Sequence, residues 1–149
     1  MSQLGAEILI RPARSEDAAS LAALATQLGY PSTPEQVEMR LDEIRRDPRQ
    51  RVRVAQTADG VVVGWVHVAV GSTLESDPQA EIQGLVVEER VRGKGIGRRL
   101  MEEAEAWARD EGVPGIRLRS NVVREAAHAF YQHLGYRITK TQHTFVKEL

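Results

Sequence analysis

The chain contains no cysteine. Disulfides, zinc–thiolate sites and a cysteine nucleophile are therefore excluded, and a reducing, cytoplasmic setting is consistent with that. No uninterrupted apolar run approaches the ~20 residues that a membrane-spanning helix needs. The first residues lack a basic region followed by an apolar stretch, so neither a membrane partner nor a signal peptide is expected. Charge of one sign is also missing: 20 Lys and Arg stand against 21 Asp and Glu, for a net charge of −1. That balance argues against nucleic acid as a partner and leaves any anion site to local clustering. Internal repeats, low-complexity stretches and linkers are absent too, so the 149 residues read as one domain, residues 7–149, behind a short polar tail at residues 1–6. A chain of this size buries roughly 68–70% of the surface exposed when unfolded, enough for one core without covalent staples.

Patterning predicts the elements in order. Ile8-Leu9-Ile10 predicts a strand closed by Pro12, and Ser15 is placed to cap a helix whose stripe is Ala18, Leu21, Ala22, Ala25 and Leu28, ending at Gly29. Thr33-Pro34-Glu35-Gln36 has the cap, the first-turn proline and the capping-box glutamine of a second helix, which Asp47-Pro48 ends. Val52 and Val54 alternate with arginines, Asp59-Gly60 signals a hairpin, and Val61 to Val70 predicts a long strand. A polar loop from Gly71 to Pro78, a strand from Ala80 to Val87 and a glycine-rich turn follow. Next comes a helix with Leu100, Ala104, Trp107 and Ala108 on one face and Arg99, Glu102, Glu103 and Arg109 largely outside. Ile116 and Leu118 predict a strand, about Arg124 to Leu134 a last helix, and the remainder two short strands. The fold class is α+β, built on one mostly antiparallel sheet. Trp65 and Trp107 read as core.

The glycine-rich turn is the most informative segment. In Leu85-Val86-Val87-Glu88-Glu89-Arg90-Val91-Arg92-Gly93-Lys94-Gly95-Ile96-Gly97-Arg98-Arg99 a strand runs into glycines and the glycines into a helix, with five cations against two carboxylates. Glycine lets backbone approach a ligand, and a helix start offers unpaired N–H donors and partial positive charge, so the segment reads as a phosphate cradle. It is not a P-loop, because no Lys-Ser/Thr pair follows the last glycine. Nor is it a dinucleotide fingerprint, because Gly93, Gly95 and Gly97 leave an arginine where the third glycine belongs.

Arg92-x-x-Gly95-x-Gly97, preceded by Leu-x-Val, resembles the acetyl-CoA pyrophosphate loop of the GNAT superfamily of acetyltransferases. Arg90-x-x-Gly93-x-Gly95 satisfies the same pattern; the first register is preferred because Ile96 and Leu100 then begin the apolar stripe of the helix. Ser120-Asn121 and then Arg124-Glu125-Ala126-Ala127-His128-Ala129-Phe130-Tyr131, with Gly135-Tyr136, is similar to the C-terminal motif of the same family. This version is similar to members that act on small amines, such as aminoalkylphosphonates and aminoglycosides.

The resemblance implies a GNAT fold, in which one mixed sheet is splayed in the middle and flanked by helices on both faces. It implies transfer of an acetyl group from acetyl-CoA, as co-substrate, to a primary amine of a small molecule by direct attack in a ternary complex. Alternatives are acetylation of a protein lysine or N-terminus, and a non-catalytic acyl-CoA-binding domain. Leu85, Val86 and Val87 would pair with the pantetheine arm, and Arg92, Gly93, Lys94, Gly95, Ile96, Gly97 and Arg98 would hold the pyrophosphate. Many members carry Asn where this chain has Arg124, which leaves Asn121 as the pantetheine contact.

An alkylammonium, with a pKa of about 10.4 for lysine, must lose a proton before it attacks, and the leaving thiolate is helped by an acid. The resemblance implies Tyr131 as that acid and Glu81 as the base, with Gln83 sharing the face of Glu81. Arg124, His128 and Tyr131 share one helix face, where His128 is an acceptor contact or a second base; a water chain is the further alternative. Tyr30, in the joint between the first two helices, is implied as a wall of the acceptor site. His67, His133 and His143 show no metal-ligand spacing, and no metal is expected. A homodimer is implied by analogy alone.

Overall fold

The structure is a computed structural model that describes residues 7–149; the tail expected at residues 1–6 lies outside the described residues. The chain divides into two compact units, one ending at Leu118 and one comprising Arg119–Leu149.

The first unit runs β1 (Leu9–Pro12), a 3-10 turn (Ser15–Asp17), α1 (Ala18–Leu28), α2 (Pro34–Arg45), β2 (Gln50–Gln56), β3 (Val62–Thr73), β4 (Ser76–Val87), a second 3-10 turn (Glu89–Val91), α3 (Ile96–Asp110) and β5 (Ile116–Leu118). The sheet order is β1-β2-β3-β4-β5, antiparallel except for the parallel pair β4–β5. Local chemistry explains several boundaries. Thr33 Oγ1 accepts from the Gln36 N–H while Gln36 Oε1 accepts from the Thr33 N–H, closing the predicted capping box ahead of α2. Gly60, at φ +90°, supplies the left-handed residue of the β2–β3 turn.

Cross-strand partners lie on the same face of a sheet, so register assigns the two layers. Val54 and Trp65 are partners, and they pack with Ala13, Leu21 and Leu41 beneath α1 and α2. The next residues along each strand face the other way. Val66 and Val68 are fully buried on that side, where α3 brings Leu100, Met101 and Ala104, also fully buried. Gly64 marks the closeness of that contact: a Cβ there would lie 3.2 Å from Leu100 Cδ1 and 3.0 Å from the Val86 carbonyl oxygen. Each such buried aliphatic side chain is worth about 1.5–3 kcal/mol relative to exposure.

Three expectations are corrected. Ser15 does not cap α1. The chain enters through the 3-10 turn, where the Arg14 N–H donates to Asp17 Oδ2 at 2.7 Å, and the same carboxylate takes a bidentate, buried grip from Arg11 at 2.8 and 2.9 Å. Burial alone would raise the Asp17 carboxyl, but the Arg11 guanidinium and the Arg14 N–H outweigh it and hold its pKa below the ordinary value. The polar loop expected from Gly71 to Pro78 is instead the end of a hairpin. Pairing continues to Thr73↔Ser76, whose hydroxyls bond at 2.8 Å, because a backbone ladder does not require apolar side chains.

The second unit contains α4 (Glu125–His133), ended at Leu134 and Gly135, whose φ is +98°. The two closing strands expected after it are absent among the described residues. An alternating pattern becomes a strand only where a neighbour takes its N–H and C=O groups. This unit holds no strand to do so, and Ile138, Phe145 and Val146 are exposed.

Candidate active site

The glycine turn follows β4 directly. Gly93 and Gly95 both take the left-handed conformation, at φ +81° and +82°. A Cβ at either would meet nothing within 4 Å, so backbone conformation and not crowding calls for glycine. Gly95 is the N-cap of α3 and offers no side-chain acceptor; the first intrahelical bond comes from the Arg99 N–H to the Gly95 carbonyl at 3.1 Å. The preceding N–H groups of the first turn, from Ile96 to Arg98, have no acceptor inside the helix. Ile96 itself is buried and pins the turn to the core, as the preferred register expects.

The loop is braced where it leaves β4. Arg92 Nε donates to the Val87 carbonyl at 3.0 Å. Gln27 of α1 donates to Glu88 at 3.1 Å and accepts from the Glu89 N–H at 3.2 Å. The Arg90 N–H, and then Gln27, hold the Glu88 carboxyl below its ordinary pKa. Lys94 and Arg98 are exposed, whereas Arg99 is not an outer residue: it is half-buried and donates to the Ile8 carbonyl at 2.8 Å.

β4 is paired with β3 along its length but with β5 only at Ala80, Glu81 and Ile82. No strand pairs on the β5 side of Gln83 to Val87 among the described residues, which is the splay of the sheet. Leu85, Val86 and Val87 are held from the other side by Val66, Trp65 and Gly64. Between these stretches the register shifts, from Val68↔Ile82 to His67↔Gly84, and leaves Gln83 as the extra residue of a bulge. Gln83 therefore does not simply continue the face of Glu81. Gly84 beside the bulge lies under Trp65: a Cβ there would meet the indole ring at 2.9 Å.

Glu81 stands opposite Ala69 on one side and Arg117 on the other. Its side chain is only 14% exposed, and Oε1 lies 3.2 Å from Arg117 Nε. This is the sheet face packed by α1 and α2. Tyr30 follows α1 and is 70% exposed, with its N–H on the Ala25 carbonyl at 3.0 Å.

The second unit gathers the rest. Asn121 Oδ1 accepts from the Val123 N–H at 3.1 Å, and the Asn121 carbonyl takes the His128 Nε2–H at 2.9 Å, so these two predicted residues are brought together. Tyr131 is half-buried on α4, its ring edge-on to Phe130 at 5.2 Å and to Tyr136 at 6.1 Å. Burial raises its pKa above the ordinary value, against an opposing effect from Arg124, so the phenol keeps its proton at neutral pH. No cluster of carboxylates and histidines suited to a metal ion occurs among the described residues, and no helix among them is long and apolar enough to cross a membrane.

Sequence reasoning missed the bulge, although a lone glycine inside a strand, Gly84, is a signal for one. It also missed a hydrogen-bonded chain on the same face, from Asp47 through Gln50 to His67.

Comparison with known proteins gives the family. The sequence matches the acetyltransferase (GNAT) family over residues 17–136, across both compact units. It is 32% identical over 135 residues to an aminoglycoside N(6')-acetyltransferase type 1 of Stenotrophomonas maltophilia, covering 88% of this chain and 87% of that one. To the aminoalkylphosphonate N-acetyltransferase of Salmonella typhimurium it is 37% identical over 92 residues, 61% of this chain and 59% of that one. The fold superposes on the aminoglycoside N-acetyltransferase AAC(6')-Iy, solved in complex with CoA, with a TM-score of 0.83, 18% identity and 95% of each chain covered. The same enzyme with the bisubstrate analogue CoA-S-monomethyl-acetylneamine gives 0.82, with 18% identity and 95% of this chain and 99% of that one covered. A bulged, half-released strand leading into a glycine-capped helix, with the family match running across it, makes the chain a member of the GNAT family of N-acetyltransferases.

Proposed function

We propose that this enzyme moves the acetyl group of acetyl-CoA to a primary amine of a small molecule, by direct attack within a ternary complex. The observation that carries the reading is the turn at Gly93 and Gly95, open at the first turn of α3 and directly downstream of the edge of β4 that no described strand pairs. The names of the relatives, which act on aminoglycosides and aminoalkylphosphonates, support a small acceptor. The bisubstrate analogue bound by AAC(6')-Iy supports a ternary complex.

In this reading residues 7–149 act as one acetyltransferase domain in a cytoplasmic setting, with no metal, nucleic acid or membrane partner. The N–H groups of Arg92 through Arg98 hold the pyrophosphate. The backbone of Leu85 to Val87, on the side away from β3, pairs with the pantetheine as an added strand would once Arg92 leaves the Val87 carbonyl, and Asn121 contributes a further contact. Glu81 accepts the proton that the ammonium must lose, and the electron pair left on nitrogen attacks the thioester carbonyl. Tyr131 gives its proton to the departing sulfur and recovers one from the amine nitrogen. Tyr30 walls the acceptor and His128 contacts it. Second copies of the chain are open to association; nothing in the reaction requires them.

Acetyl-CoA at 100 times its dissociation constant should add about 2.7 kcal/mol of stability, which thermal melting detects directly. ATP and NAD at the same concentration should raise the melting temperature far less. An unchanged melting temperature in millimolar acetyl-CoA would remove the basis of the proposal.

A further inference from the structure

His67 takes no part in the mechanism above, yet it is held by a defined chain of side chains. Asp47 Oδ2 accepts from Gln50 Nε2 at 2.9 Å, and Gln50 Oε1 lies 2.7 Å from His67 Nε2. A carboxylate only accepts, so Gln50 must turn its amide nitrogen to Asp47 and its oxygen to His67. An amide oxygen also only accepts, so His67 Nε2 must carry the hydrogen. The neutral imidazole is thereby fixed as the Nε2–H tautomer, and Nδ1 is left as its basic atom.

Register places this imidazole on the same face as Glu81. Gln50, Ala69, Glu81 and Arg117 form one row across the sheet, and Val52, His67 and Gly84 form the next. Diagonal neighbours of this kind lie about 7–8 Å apart in a regular sheet. The packed elements bring little charge to His67. No charged residue occurs in α1, every charged residue of α2 is exposed, and α3 covers the opposite face. On the sheet face itself the charged residues by register are Glu81, already paired with Arg117, and Arg11, two strands away on β1 and paired with Asp17, while Asp47 stands behind Gln50. Burial alone lowers the pKa of His67 and keeps it neutral at pH 7, the form a base requires.

Resting on the acetyltransferase reading, we propose that His67 is a second proton acceptor on the acceptor side of the sheet, with Gln50 and Asp47 as its positioning residues. The N–H bond of the alkylammonium breaks towards Glu81, the electron pair stays on the amine nitrogen for attack, and the same proton passes on through solvent to His67 Nδ1, leaving Glu81 ionised again. The Gln50 carbonyl and, behind it, the Asp47 carboxylate stabilise the imidazolium. The proton leaves to solvent after product release, which balances the single proton liberated when an ammonium becomes an amide.

A base matters only for an acceptor that arrives protonated, and this separates the role from a structural one. His67→Gln should lower kcat/KM for an alkylamine at pH 7 by about 10²-fold, while an arylamine, already neutral at that pH, should lose no more than about threefold. The loss with the alkylamine should shrink as pH rises towards the pKa of the amine. Gln50→Leu, which leaves the imidazole in place, should reproduce the same selective loss even if His67→Gln folds poorly. Nitrogen-15 NMR of the wild-type imidazole should show the hydrogen on Nε2. Equal losses for both acceptors, no loss for either, or a hydrogen on Nδ1 would overturn the proposal. The NMR result does not depend on turnover. A wild-type enzyme that binds acetyl-CoA but acetylates no amine would instead defeat the functional reading and this proposal with it.

Discussion

Tyr131→Phe is expected to lower kcat by about 10²–10⁴-fold while leaving the affinity for acetyl-CoA within a few-fold of wild type. The substitution keeps the ring, and with it the edge-on contacts to Phe130 and Tyr136, so it removes a hydroxyl and little else. Burial raises the pKa of that hydroxyl above its ordinary value, so the acid form persists to strongly alkaline pH and no activity should be lost through its ionisation near neutrality. The defect should belong to the chemical step and appear in a single turnover. It should also shrink with an acyl donor whose thiol leaves without protonation. Full activity in Tyr131→Phe with an alkylamine would assign protonation of the sulfur to water or to His128.

The second large effect is expected at Gly95. Gly95→Val should weaken acetyl-CoA binding by more than about 100-fold in a domain that still folds, because the new Cβ enters open space and not the core. Two causes contribute and can be separated. At φ +82° a β-branched residue is strained by about 1–3 kcal/mol, which should lower the melting temperature. Any side chain there also stands in front of the first-turn N–H groups of α3. Asparagine tolerates the left-handed region, so Gly95→Asn should melt nearer to wild type and still bind poorly. Normal acetyl-CoA binding by either variant would mean that the cradle lies elsewhere.

The contrast between these two sites shows what kind of information the residues carried. Gly93, Gly95 and the stripe of Ile96 and Leu100 are local signals, and the structure realises them at the expected positions. The capping box at Thr33 and Gln36 was legible for the same reason. Features that depend on distant partners were not. Asp17 is a plausible helix-end carboxylate by itself, and only the fold brings Arg11 to bury it. Arg99 looks like an outer residue of an amphipathic helix until the Ile8 carbonyl is placed beside it. The bulge at Gln83 is a register event between β3 and β4, and the turn at Thr73 and Ser76 is another. The closing strands failed in the opposite sense: Tyr136, Arg137 and Ile138 alternate, but so short an alternation cannot supply a neighbour. Glu81 was singled out by resemblance alone, whereas its ion pair with Arg117 follows from parallel register with β5.

The most direct measurement is transfer of an isotopically labelled acetyl group from acetyl-CoA in a single turnover, with small alkylamines, peptides and no acceptor compared side by side. The account predicts label on a small amine, an equal amount of free thiol, little label on peptides, and no labelled protein when the acceptor is omitted. Label that remains on CoA with every small amine would contradict it, as would a labelled enzyme formed without an acceptor.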